Sequence, residues 1–177
     1  MNPVLKWFAL RTNYCRDLKV AALLNEKGIR YYIPMKHKQV TKAGIVKRIQ
    51  VPVIRNLIFV YSQYSTLNNL KKELESSMPI RIIMNKSTGK PAVICDKEMN
   101  DFILISGTDC DDLIYMDTSE ANLKVGDKVE VIEGIFKGAE GKLVRIKGHK
   151  RVLVSIEGVV AVATAFIPAM FLKKIET

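Results

Sequence analysis

The sequence predicts an α+β chain built from two units. Residues 1–105 read as a βαββαβ-like antiparallel sheet with helices, 106–120 as an acidic linker, and 121–177 as a small five-stranded β-barrel. Three observations carry this reading. Apolar residues alternate between strand and helix spacing through the first hundred or so positions. Charge falls into three blocks: 18 basic and 7 acidic residues before position 106, five acids and no base in 106–120, then 10 basic and 6 acidic residues. Finally, Gly134, Gly138 and Gly141 lie within eight residues between two short alternating strands, the spacing that a tightly bent barrel requires.

The elements follow in order. Lys6–Thr12 (KWFALRT) is a β-rich run with Phe8 and Leu10 on one face and Trp7, Ala9 and Arg11 on the other. Residues 14–28 switch to helical spacing, with a stripe of Leu18, Ala21, Ala22 and Leu24, a cap at Asn13 and a left-handed stop at Gly28. Arg30–Pro34 is a strand. Lys36 to Arg48 is a polar, basic connection around Gly44, and Val51–Tyr61 is the strongest strand signal. Ser65 or Thr66 caps a second helix with Leu67, Leu70 and Leu74 on one face. Ile80–Met84 and Pro91–Ile94 are extended, and Asp96 opens a helix carrying Met99, Phe102, Ile103 and Ile105.

In the second unit, DKVEVI alternates, GIFKGAEG turns, and KLVRIK resumes. Arg151–Ile156, Val159–Ala165 and Phe171–Ile175 complete five short strands. The stretch 106–120, with its glycine, serine and threonines, is expected to be solvated, leaving two separate bodies.

Composition limits the function classes. Of 177 residues 48% are hydrophobic and 26% charged, the balance of a folded chain. The longest nearly apolar run, Val159–Leu172, includes Thr164 and Pro168 and falls short of the ~20 residues that cross a bilayer. Trp7–Leu10 is too short for a signal-peptide core, so a cytoplasmic protein with no membrane partner is expected. Cys15, Cys95 and Cys110 form no C-x-x-C pair, and His37 and His149 lie far from them. Neither a disulfide framework nor a metal site is expected.

No catalytic set emerges, since two isolated histidines offer little from which to activate a Ser, Cys or Thr. Gly141–Lys142 and Gly89–Lys90 both lack the first glycine and the hydroxyl of a phosphate-binding loop. No enzyme activity and no cofactor are expected. The net charge of +10 points instead to a polyanion. Arg11, Arg16, Lys19, Lys36, Lys38, Lys47 and Arg48 are the candidates for contact with a DNA or RNA backbone. RNA-recognition modules share the strand order of the first unit. Arg55, Phe59 and Val60 fit their central strand, but Asn56, Leu57, Ile58 and Ser62 replace its glycines and stacking aromatics.

The glycine-rich stretch VGDKVEVIEG–IFKGAEG–VRIK resembles a KOW motif. KWFALRT, YYIP, the hydrophobic-x-x-hydrophobic-x-Phe-Val pattern at Ile54–Val60 and KPAVICDKEM resemble the NGN domain of the NusG family. Together the two resemblances cover about residues 4–104 and 121–175. They imply a monomeric factor in transcription elongation whose NGN domain docks on the RNA polymerase clamp beside the upstream DNA fork, near DNA or nascent RNA, and suppresses pausing. They also imply a KOW domain that reaches Rho or the ribosomal protein NusE.

Ile54, Leu57 and Phe59 align with the family's polymerase-docking strand. Trp7 either joins that patch or sits in the core, and Phe136 is either the partner-binding tip or a plug for the barrel. Gly134, Gly138 and Gly141 are read as structural. Where general NusG proteins tend to carry Phe-Pro-Gly-Tyr, this chain has Ile54, Arg55, Asn56 and Leu57. That departure resembles the operon-specific paralogues, RfaH and the UpxY antiterminators of polysaccharide operons. A general elongation factor and a ribosome- or RNA-binding KOW protein remain the alternatives.

Overall fold

The computed structural model describes residues 4–122 and 126–175. Val125, with which the KOW-like stretch begins, lies outside them. The chain divides into two compact units, Met1–Cys95 and Asp96–Thr177.

The first unit is a five-stranded antiparallel sheet with two helices and a separate hairpin. Strand β1 (Lys6–Arg11) lies beside β5 (Leu57–Ser62), which β2 (Arg30–Tyr32) flanks; β6 (Arg81–Ile82) and β7 (Val93–Ile94) both pair with β1. Helices α1 (Asp17–Glu26) and α2 (Tyr64–Glu73) supply Val20, Ala21, Leu24, Leu67 and Leu70 to a core with Phe8, Leu10, Ile58 and Val60. The buried face of α1 is Asp17, Val20, Ala21 and Leu24, whereas Leu18 and Ala22 of the expected stripe are exposed. Asn13 does not cap α1; its carbonyl accepts the Arg16 N–H, and Arg16 occupies the N-cap position.

Residues 35–52 differ more from expectation. The basic connection is an antiparallel ribbon, β3 (Met35–Lys42) paired residue for residue with β4 (Ile45–Pro52). Its two-residue turn, Ala43–Gly44, has φ of +51° and +77°, both positive as the type I′ turn of a tight hairpin demands. The long strand expected at Val51–Tyr61 is therefore two strands, β4 and β5, separated by a turn in which Asn56 takes φ +60°.

The second unit contains the five expected strands as β9 (Lys128–Val131), β10 (Glu140–Ile146), β11 (His149–Ile156), β12 (Val160–Ala163) and β13 (Leu172–Lys174). It also gains a sixth. Residues 106–120, expected to be a solvated linker, carry β8 (Ile114–Met116), which pairs with β12 and extends the sheet to the order β13-β9-β10-β11-β12-β8. Helix α4 (Thr118–Asn122) follows and buries Ala121 beside Val144, Leu153, Ala161 and Ala163. The cause is visible at Arg151. This side chain is buried and donates to the Asp112 carbonyl (2.7 Å), the Thr164 carbonyl (2.8 Å) and both Asp112 carboxylate oxygens (3.2 and 3.1 Å). A buried guanidinium needs such partners, and the acidic stretch supplies them.

Helix α3 (Asp96–Ser106), expected to close the first unit, packs on β11 and β12. Lys97 near its start bonds Asp101 (2.9 Å) and Glu140 of β10 (3.2 Å), while Asp101 accepts the Glu140 N–H (3.3 Å). Partial burial pulls the Lys97 ammonium down. The hydrogen bonds to Asp101 and Glu140, with their charges, outweigh it and hold the group above its ordinary value.

Candidate nucleic-acid interface

The expected basic contacts lie at two places in the first unit. Arg11, Arg16 and Lys19 gather at the end of β1 and the start of α1; Lys36, Lys38, Lys47 and Arg48 lie on the β3–β4 ribbon.

The β1–α1 turn is held by a buried polar clamp. The Thr12 hydroxyl donates to Asp17 Oδ1, and the Asn56 N–H donates to Asp17 Oδ2 at 3.0 Å. The Thr12 N–H reaches the Asn56 carbonyl at 3.1 Å, and the Cys15 N–H reaches Asn56 Oδ1 at 2.9 Å. Tyr14 and Cys15 consequently sit at φ +56° and +53°, a conformation that side-chain-bearing residues rarely take unless their surroundings impose it. The turn leaves Tyr14 exposed, with the Arg16 guanidinium 5.7 Å from its ring centre and donating to the Ser77 carbonyl. Beside the turn is an open cleft of about 610 Å³ whose lining includes Asn13, Asn68, Lys71, Lys72 and Arg81. Sequence reading missed these five. They come from three separate segments, with Lys71 and Lys72 exposed in the last turn of α2.

The ribbon is the more strongly charged feature. Residues 35–52 contain Lys36, Lys38, Lys42, Lys47 and Arg48 and no acid. Every residue from 41 to 50 is exposed.

The apolar docking patch expected on the central strand is not at the surface. Leu57 and Phe59 are 0% exposed and Trp7 is 2% exposed; only Ile54, in the turn before β5, is partly open. The physical reason is the composition of β5. Leu57 and Phe59 point to one side and Ile58 and Val60 to the other, so no face is polar enough to stay in water. Trp7 is also held by its neighbours: the Tyr61 ring centre is 5.2 Å away, and the Arg30 guanidinium lies 5.1 Å from the indole centre.

In the second unit Phe136 is buried in the wall of a small apolar cleft of about 180 Å³, with Phe166 and Phe171 among its other lining residues. Neighbouring Ile135 and Phe166 are the exposed apolar groups there. Gly134 and Gly138 have φ near +90°. Gly141 has another demand on it, because a Cβ there would come within 2.5 Å of the Leu153 carbonyl oxygen.

Among the described residues no cluster of three or more His, Cys, Asp or Glu is arranged to hold a metal, and no helix is long and apolar enough to cross a membrane.

An antiparallel α+β head followed by a glycine-bent strand unit, with its positive charge concentrated on the head, defines a two-unit protein with a basic first unit. Comparison with known proteins narrows it. Residues 5–103 match the family model described as NusG, transcription termination factor nusG, and residues 125–157 match the KOW motif. The chain is 23% identical over 158 residues to the transcription termination/antitermination protein NusG of Streptococcus pyogenes serotypes M3 and M1, covering 81% of this chain and 82% of theirs. The chain belongs to the NusG family of transcription termination and antitermination factors.

Proposed function

We propose that the chain is an antitermination and elongation factor that binds the RNA polymerase clamp through its first unit, suppresses pausing and termination, and serves a particular operon of the polysaccharide type. The observation that carries this is the succession of a NusG match over 5–103 and a KOW match over 125–157 in one chain. The specialist role is favoured by Ile54, Arg55, Asn56 and Leu57 standing where general members tend to carry Phe-Pro-Gly-Tyr.

Because Trp7, Leu57 and Phe59 are buried, the proposed polymerase contact runs through the turn ahead of β5, where Ile54 is partly open and Arg55 exposed. DNA or nascent RNA near the upstream fork lies against the basic residues of the same unit. Rho or the ribosomal protein NusE would meet the second unit at the cleft beside Ile135 and Phe166, which surround the buried Phe136.

The test is co-migration of the full chain with a stalled elongation complex at low ionic strength, followed by pause lifetimes on its own operon's leader and on an unrelated template. Binding, shortened pauses on the first template only, and an approximately tenfold loss of binding in Ile54→Asp with Arg55→Glu are expected. Absence of co-migration rejects the proposal. Equal effects on both templates replace the specialist with a general factor.

A further inference from the structure

We infer that the β3–β4 ribbon reads double-stranded DNA, lying in the major groove with its glutamine- and arginine-bearing face toward the base edges. The inference rests on the transcription-factor reading above and adds to it a ligand and the residues that select it.

The register sorts the ribbon into two unlike faces, because directly paired residues of an antiparallel ladder share a side. Lys36 opposite Val51, Lys38 opposite Ile49, Val40 opposite Lys47 and Lys42 opposite Ile45 make one face, which carries all four lysines among aliphatic groups. Met35 opposite Pro52, His37 opposite Gln50, Gln39 opposite Arg48 and Thr41 opposite Val46 make the other, on which the five hydrogen-bonding side chains lie together between Met35–Pro52 and Val46. On that face His37 Nε2 and Gln50 Nε2 lie 3.5 Å apart.

The ribbon forms its own two-stranded sheet, with Ile45 and Val46 each 61% exposed. Such a ribbon is marginal in water on its own, and its acid-free charge fits a polyanion.

Three features choose among polyanions. No Phe, Tyr or Trp occurs between positions 35 and 52, so the ribbon lacks the row of large stacking platforms on which single strands are held. A-form RNA offers a major groove too deep and narrow for side chains to read. The major groove of B-DNA, about 12 Å wide, admits a two-stranded ribbon.

Eight paired positions at about 3.3 Å each span roughly 26 Å, or about seven to eight base pairs. Within that span Gln39 and Gln50 suit adenine N6 and N7, Arg48 suits guanine O6 and N7, and the methyl groups of Thr41 and Val46 suit thymine methyl groups. The lysines of the opposite face, on long flexible stems, reach outward to the phosphates along the groove walls.

The experiment incubates the full chain with a pool of randomised 20-base-pair duplexes, with single-stranded DNA and double-stranded RNA as competitors. Enrichment of a duplex motif is expected. The pair Gln39→Ala and Gln50→Ala should lower the preference for that motif over scrambled duplex by about tenfold or more, leaving affinity for scrambled duplex unchanged. The triple Lys36→Gln, Lys38→Gln, Lys47→Gln should weaken both alike and reduce the salt slope by about 2.7. Gln39 and Gln50 are exposed, so their loss leaves the fold intact. Failure to enrich any motif, tighter binding to either competitor, or an unchanged preference in the glutamine variant overturns the inference. Co-migration with a stalled elongation complex is measured in parallel; a chain that co-migrates but selects no duplex refutes the ribbon's role and leaves the transcription-factor reading standing.

Discussion

Asp17 is a carboxylate on the inner face of a helix, and it explains why the helix was misread by its apolar spacing. A search for apolar stripes passes over an acid and places Leu18 and Ala22 inward, although both face water. Asp17 is inward because Thr12 and the Asn56 backbone need an acceptor there. Its replacement by Ala strands those donors and should cost about 2–3 kcal/mol, measured as a lower urea midpoint. Lys97 gives a second residue-scale expectation. Its folded pKa is raised, so its contribution is complete below the ordinary value of 10.5 and is lost as pH rises through the higher folded value. The stability difference between the native chain and Lys97→Met should therefore shrink in strongly alkaline solution, and a difference that stayed constant would show that the ion pairs do not stabilise the fold.

At the level of elements, type and order were mostly legible, whereas turns were not. Leu67, Leu70 and Leu74 are all buried, as their spacing indicates. The β3–β4 ribbon is hard to read from sequence because most of its aliphatic residues share a face with the lysines they pair with and neither side is buried, so no apolar face announces a strand. Its turn was equally obscure. Ala43 takes a φ that asparagine or glycine tolerates better. Ala43→Asn should therefore stabilise the ribbon by about 0.5–1 kcal/mol, read as slower amide exchange across residues 36–51. The docking strand teaches the converse. Alternation sorted Leu57 and Phe59 from Ile58 and Val60 correctly, but two apolar faces in succession signal a strand covered on both sides, not a greasy surface.

For the whole molecule, the succession of two units was legible from apolar spacing and the glycine-rich stretch, and the family from the resemblance of KWFALRT, YYIP, KPAVICDKEM and the KOW-like stretch to its motifs. The folded state of residues 106–120 was not. Five acids without a base look like a solvated tether, and the buried Arg151 some forty residues later shows what one of them, Asp112, serves. A fragment of residues 121–177 lacks both Asp112 and β8, whereas a fragment starting at Asp96 keeps them. The longer fragment should be the more stable by several kcal/mol, since it retains the partners of a buried cation; equal thermal midpoints would refute this.

The same buckle between Asp112 and Arg151 changes what limited digestion reports. An acid-directed protease offered the folded chain should pass over the bonds from 112 to 117, despite the recognition residues Asp112 and Asp117 there. Nicks in that stretch would then mark molecules whose second unit has already come apart, making it a sensor of local melting and not a hinge.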